Sequence, residues 1–257
     1  MDLGINGRVA LVLGAGGGLG GAIAHQLAAE GASVAACDIS PESLTDLVEE
    51  NPRTTPFTFD LRDLNSIDSV VEQIESQLGH VEILVNITGG PPATTATGIA
   101  SPEWDKHFHA MVTPIIHLTD RVLPNMRQSK WGRIITSTSS GVVAPIPNLG
   151  ISNALRSTLL GWSKSLAFEV GSDGVTVNTI VPGRIATARI RQLDQARAQR
   201  EGRSVSDVAA RSQESIPIGR YGTPAEYADV VAFLSSERAS YITGSMLRVD
   251  GGMIPNV

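Results

Sequence analysis

The sequence predicts a doubly wound α/β fold, with a mainly parallel seven-stranded sheet and helices on both of its faces. Two observations carry that expectation. Val9 to Leu13 is an apolar run without polar alternation, as expected of a strand buried on both faces of a parallel sheet. A glycine cluster follows at once, and from there apolar strands alternate with helical stretches, the order that builds parallel sheets.

The first elements read as a nucleotide cradle. Gly14, Gly18 and Gly20 stand where side chains would block a tight turn, the approach of a pyrophosphate to backbone N–H groups, and close packing of a helix on the strand. Gly17 and Leu19 belong to the same loop. The helix from about Leu19 to Ala29 points its positive end at that anion. A second strand, Ser33 to Cys37, ends in Asp38, at about the distance from the loop expected of the carboxylate that binds an adenosine ribose. Asp38 would repel a 2′-phosphate, and the loop from Gly14 to Gly20 holds no arginine or lysine to offset it, so NAD is the expected cofactor.

Further along, Ser40 to Glu50 reads as a helix with a serine cap and Pro41 in its first turn. Thr55 to Phe59 is a third strand. Asp63 to Leu78 puts Ile67, Val70, Val71, Ile74 and Leu78 on one helix face, which covers the sheet. Val81 to Val85 is the fourth strand, and Asn86 at its carboxyl end lies where ligands gather in open α/β sheets. Pro102 to Gln128 reads as one long helix bent at Pro114. Its His107 and His109 are two apart and project to different sides, so a metal site is not expected. Arg133 to Ser137, Val175 to Val181 and Met246 to Val249 are the remaining strands, and Ile151 to Gly171 and Pro224 to Ser235 the remaining helices. Residues 185–220 fall outside the alternation. The arginines there, from Arg189 to Arg211, are read as a solvated basic face in preference to an attractor of anionic substrate.

At 257 residues the chain suits one α/β domain, 1–257. A formal net charge of −6 argues against a nucleic-acid partner and favours a small-molecule substrate. Cys37 is the single cysteine, cannot form an internal disulfide and reads as core filling, which makes a reducing cytoplasmic setting the default. Met1 to Asn6 lacks the basic and apolar regions of a signal peptide, and no apolar run reaches membrane-spanning length, so no membrane partner is expected.

The spacing Gly14-x-x-x-Gly18-x-Gly20 resembles that of the short-chain dehydrogenase/reductase family, in particular its 3-oxoacyl-carrier-protein reductase-like members. The likeness continues through Asp60-Leu61, Leu84-Val85-Asn86 with Gly89, Gly132-Arg133-Ile134-Ile135 running into Ser139, and Asn178 to Gly183. It ends with Thr187, Ile216 to Arg220, Tyr241 to Gly244 and Val249 to Gly252. The resemblance implies a Rossmann-like fold. It also implies cofactor contacts at Asp60, Leu61, Asn86, Gly89, Arg156, Pro182, Gly183, Ile185 and Thr187, closure of 185–220 over substrate, and a homotetramer paired through its long central helices and last strand. Leu155, Leu159, Leu160, Trp162 and Leu166 exceed what a one-sided surface helix needs.

In the resembled family a tyrosine exchanges the alcohol proton, and a lysine four residues later lowers its pKa and holds the nicotinamide ribose. A serine orients the carbonyl oxygen, and an asparagine comes from the earlier long helix. Here the serine position is Ser139, but the tyrosine position holds Ser152, the lysine position Arg156 and the asparagine position Met111. Leu13 and Ile87-Thr88 also depart from the pattern. An alkyl alcohol is a far weaker acid than a phenol, and arginine stays protonated at any useful pH. Arg156 can still bind ribose hydroxyls or a substrate carboxylate through its fork. His107 and Arg184 are candidates to enter the space beside the nicotinamide, or equally to do no more than satisfy backbone carbonyls.

The expected function is hydride transfer between NAD(H) and a small carbonyl or alcohol, possible anions included, through an atypical catalytic set. Elimination or isomerisation on the same scaffold, or a non-catalytic NAD-binding partner protein, are the alternatives.

Overall fold

The computed structural model describes residues 1–256. Its strands are β1 (Val9–Leu13), β2 (Ser33–Asp38), β3 (Thr54–Thr58), β4 (Ile83–Asn86), β5 (Gly132–Ser137), β6 (Val175–Pro182) and β7 (Met246–Val249). They form one sheet in the order β3-β2-β1-β4-β5-β6-β7, and every pairing is parallel. Between β1 and β4 the direction of winding reverses, which opens a crevice beyond the carboxyl ends of those strands.

Alternate residues of each strand feed two separate cores. Leu11, Leu13, Leu84, Ile134 and Val177 pack on one face beneath α3 (Leu64–Leu78), α5 (Thr113–Ser129) and α6 (Gly150–Val170). Ala10, Val12, Val85, Ile135 and Ile180 pack on the other beneath α1 (Gly18–Ala29) and α9 (Pro224–Leu234). Small alanines on β1 and β2 let α1 sit close to the sheet. Each fully buried leucine or isoleucine in these layers contributes about 1.5–3 kcal/mol.

Four expectations change in detail. The predicted helix 102–128 is two helices, α4 (Ser101–Met111) and α5, because the chain departs from helical geometry at Val112. Val112 N still donates to Phe108 O, but Pro114 has no N–H to continue the ladder and instead occupies the first turn of α5. Between Ser40 and Glu50 a 3-10 turn, Glu42–Leu44, precedes α2 (Thr45–Glu50), and no serine caps it. The Ser40 hydroxyl donates to the Glu42 carboxylate at 2.7 Å instead.

Residues 185–220 contain α7 (Ala188–Glu201) and α8 (Val205–Glu214), capped by the Thr187 and Ser204 hydroxyls. Apolar periodicity could not reveal α7, whose only buried residues are Asp194 and Ala198. On α6, finally, Leu155, Leu159 and Leu166 are buried in the chain's own core and Trp162 packs against it, so the apolar excess read for that helix is mostly used within one chain.

Candidate active site

The crevice is a cavity of about 1180 Å³. That exceeds the usual small-molecule pocket of roughly 300–1,000 Å³ and suits a dinucleotide with a second ligand. Its wall gathers residues from the ends of β1, β2, β4, β5 and β6 together with α6 and α7.

At the end beside the glycine turn the wall is mainly backbone. Gly14 has a positive φ of 64°, and a Cβ on Gly20 would stand 2.1 Å from Gly14 O, so the turn closes only because Gly20 has no side chain. Gly17 is the N-cap of α1 and Gly18 its first residue, with no side chain bonded to the first-turn N–H groups. Those donors and the positive end of α1 form an anion cradle. Leu19 lines the same wall.

Asp38 accepts from Gly16 N at 3.0 Å, Ile39 N at 2.8 Å and Ser40 N at 3.3 Å. A carboxylate has about four acceptor positions, so roughly one remains for a ribose hydroxyl. Asp60 and Leu61 also line this end. The Asp60 carboxylate is held by Arg62 at 2.6 Å, and the hydrogen bond from Arg62 lowers its pKa. Arg62 is therefore already engaged by an acid.

In the middle, Gly89, Pro182, Gly183, Ile185 and Thr187 face the cavity, while Asn86 is buried at the end of β4 and does not line it. Asn86 Nδ2 donates to Thr136 Oγ1 at 3.4 Å, but its Oδ1 and the Thr88 Oγ1 are buried without a partner. A buried unsatisfied polar atom costs about 1–3 kcal/mol, which a bound ligand would relieve at Thr88 on the cavity wall. A dinucleotide fits these residues: a turn that closes only without a Cβ on Gly20, first-turn N–H groups of α1 that no side chain engages, and an orphan hydroxyl on a residue of the wall.

The far end is built from side chains. Ser139 Oγ accepts from Gly141 N at 3.1 Å, which fixes the hydroxyl and leaves its proton free to donate. Ser152 is buried and lines the same wall. Arg156, one turn further along α6, donates to the carbonyls of Ser137, Thr88 and Gly89 at 3.3–3.4 Å. Burial, and then the nearby charge of Arg189, draws its pKa down to about 10, so it is still a cation at neutral pH.

Arg184 also faces the cavity, but its charge is matched. Its Nη1 donates to Asp194 at 2.7 Å and to the Tyr221 hydroxyl at 3.2 Å, and that hydroxyl donates to Asp194 at 2.8 Å. Met111 is buried in the core and His107 stands beside Glu103 at 3.7 Å; neither lines the cavity. Among the described residues no tyrosine, lysine or histidine lines it. Tyr227 is fully buried behind the wall with its hydroxyl 2.7 Å from Ser137 Oγ, and burial pushes its pKa up. Among the described residues no group of three or more His, Cys, Asp or Glu could hold a metal ion.

The sequence reads Arg189 as one of a solvated set, and in the structure it is exposed and also lines the cavity. In the structure it lies in the first turn of α7 and reaches the cavity, with Nη2 donating to Pro91 O at 3.4 Å. Its place two residues after the cap Thr187 was the available signal.

The sequence pattern of the family described as enoyl-(acyl carrier protein) reductase matches residues 14–254. The chain is 37% identical over 252 residues to 3-oxoacyl-[acyl-carrier-protein] reductase FabG of Escherichia coli, covering 96% of this chain and 97% of that one. It is 35% identical over 252 residues to Nodulation protein G of Rhizobium meliloti, covering 97% and 98%. Among solved structures, L-sorbose reductase from Gluconobacter frateurii complexed with NADPH and L-sorbose superposes with a TM-score of 0.93 at 32% identity, over 100% of both chains. The glycine turn, the parallel sheet and these likenesses run through almost the whole chain, and together they place it in the short-chain dehydrogenase/reductase family.

Proposed function

We propose that this oxidoreductase transfers hydride between NAD(H) and a small carbonyl or alcohol, using Ser139 and Arg156 at a site where Ser152 stands in the tyrosine position and Arg156 in the lysine position. The observation that carries the reading is one cavity holding a complete dinucleotide cradle at one end and Ser139, Ser152 and Arg156, without a phenol or lysine, at the other. When bound, the nicotinamide supplies or accepts the hydride at the substrate carbon. Ser139 donates its free O–H to the substrate oxygen, and Arg156 contributes a fixed positive charge as negative charge develops there. The proton exchanges with water, because no tyrosine, lysine or histidine among the described residues lines that end.

Preference for NAD over NADP rests on Asp38, whose charge repels a 2′-phosphate, and on the engagement of Arg62 by Asp60. The L-sorbose reductase structure, by contrast, is described with NADPH. Residues 1–257 act as one domain in this reading, with 185–220 covering substrate. Exposed Phe168 on α6, and Tyr241 and Met246 at and before the edge strand β7, support assembly as a homotetramer. No helix among the described residues is long and apolar enough to cross a membrane. The buried lone thiol of Cys37 supports a cytoplasmic setting.

A screen of small ketones, aldehydes and alcohols against NADH and NAD absorbance tests the reaction. Substrate-dependent absorbance change is the expected result, whereas turnover with unchanged cofactor would place the chemistry outside redox. Calorimetry with NADH and NADPH tests the preference, and light scattering at micromolar concentration tests the tetramer.

A further inference from the structure

We propose that Arg156 and Arg189 together receive a carboxylate of the substrate, so that oxo acids or hydroxy acids are preferred to neutral carbonyls and alcohols. The proposal rests on the redox reading above and specifies its substrate class. Both guanidinium groups converge on one point. A Cβ built on Gly90 would lie 3.4 Å from Arg189 Nη2 and 3.8 Å from Arg156 Nη2. A side chain at position 90 would fill that space, and glycine leaves it open.

Neither cation has an acid. The other arginines on the wall are matched: Arg62 by Asp60 at 2.6 Å, Arg184 by Asp194 and Arg197 by Glu201, both at 2.7 Å, with Arg200 in the field of Glu201. Among the described residues Arg156 and Arg189 bond only to backbone carbonyls, those of Ser137, Thr88 and Gly89 for the first and of Pro91 for the second. Each guanidinium carries five N–H donors, so donors remain on both. Two like charges brought together repel, and a bound anion between them turns that repulsion into attraction. Burial is the main cause of the lowered Arg156 pKa, and the charge of Arg189 lowers it further in the same direction.

A compact oxyanion with two acceptor atoms matches this pair, since arginine forks recognise carboxylates through paired N–H donors. Phosphate shares that chemistry, and the cofactor itself carries phosphates, so the experiment must separate the two sources. The NADH-loaded protein would be titrated by calorimetry with a panel of 2-oxo and 3-oxo carboxylates and with the methyl ester of each. NADH consumption would be followed in parallel. The same measurements would be made on Arg189→Gln, and NADH affinity measured for both proteins.

The expected result is binding of at least one acid more than tenfold tighter than its ester, a difference that falls below threefold in Arg189→Gln while NADH affinity changes less than twofold. Arg189→Lys should restore part of the difference. Equal binding of acids and esters, or no binding of any acid, would overturn the proposal. So would an Arg189→Gln variant whose NADH affinity falls as much as its acid affinity, which would assign the pair to cofactor phosphate. The redox reading fails separately: acids that bind selectively without consuming NADH would sink that reading alone, and NADH consumed equally with acids and esters would sink this one alone.

Discussion

At the glycine-turn end of the cavity the wall is backbone, and at the Ser139 end it is side chains. The first is made from a turn that closes because Gly20 lacks a Cβ, from N–H groups at the start of α1, and from Asp38 held by three main-chain donors. The second is made from Ser139, Ser152, Arg156 and Arg189, projecting from a strand end and from two helices. Recognition by backbone depends on a path that few sequences can follow. Chemistry by side chains depends on the groups at a few positions, which can change while the frame persists. The comparison can be broken from either end.

The largest effect is expected at the reacting end. Ser139 has its hydroxyl oriented by Gly141 N, which leaves its proton free to donate. A placed donor to a developing oxyanion is worth roughly 2.7–4 kcal/mol, or on the order of 100- to 1,000-fold in turnover. Ser139→Ala should lose that much in kcat with little change in melting temperature. A fully active Ser139→Ala would show that the hydroxyl does no more than cap the turn at Ser140–Val142.

Next comes the backbone end. Gly20→Ala forces a methyl to 2.1 Å from Gly14 O, a rigid main-chain atom, so the start of α1 must shift away from β1. Overpacking of this kind costs about 1–3 kcal/mol, which in a chain of this size lowers the melting temperature by roughly 2–4 °C per kcal/mol. NADH binding should suffer together with stability. Unchanged melting and unchanged NADH affinity in Gly20→Ala would mean that the turn is not the tight cradle described.

Legibility in the sequence divides along the same line. The strands were readable because each is an apolar run buried on both faces, and Gly14, Gly18, Gly20 and Asp38 because spacing along one βαβ unit sets their separation in space. Side-chain meetings between distant elements were not. Nothing local says that Arg184 is matched by buried Asp194, or that Arg189 leans over Gly90 towards Arg156. Helix α7 escaped for a related reason: its charged sequence has almost no apolar face, because the buried residue that docks it is an aspartate. The bend expected at Pro114 became a break because proline stands more comfortably in a first turn than in a helix interior.

A smaller effect is expected from Asp38→Ala. The carboxylate is exposed to the cavity and mostly occupied by Gly16, Ile39 and Ser40, so removal costs the cofactor one hydrogen bond to a charged acceptor. That is about 1.5 kcal/mol, or roughly tenfold in NADH affinity. The same change removes the repulsion of a 2′-phosphate, and NADPH should gain relative to NADH. Calorimetry with both cofactors on both proteins decides it, and equal affinities in the wild type would end the assignment of Asp38 as the discriminator.

The smallest effect is expected at Ser152, and it is the sharpest test of the contrast, because this residue occupies the position where the resembled family has its proton donor. Its hydroxyl is too weak an acid to give up a proton to an alkoxide at neutral pH, and it falls a ring short of the reach of a phenol. Ser152 lies at the start of α6 and is largely buried, so its replacement by alanine removes one oxygen and leaves the helix its preferred small residue. Turnover in Ser152→Ala should stay within about twofold of wild type, and stability within roughly 0.5 kcal/mol. A pH–rate profile makes the test specific: if water supplies the proton, the profile of Ser152→Ala should overlay that of the wild type across the range in which the protein is folded. A folded Ser152→Ala that is inactive, or whose profile loses a limb, would show that the serine takes part in proton transfer and that the reacting end has kept the family's division of labour with a different group in the tyrosine's place.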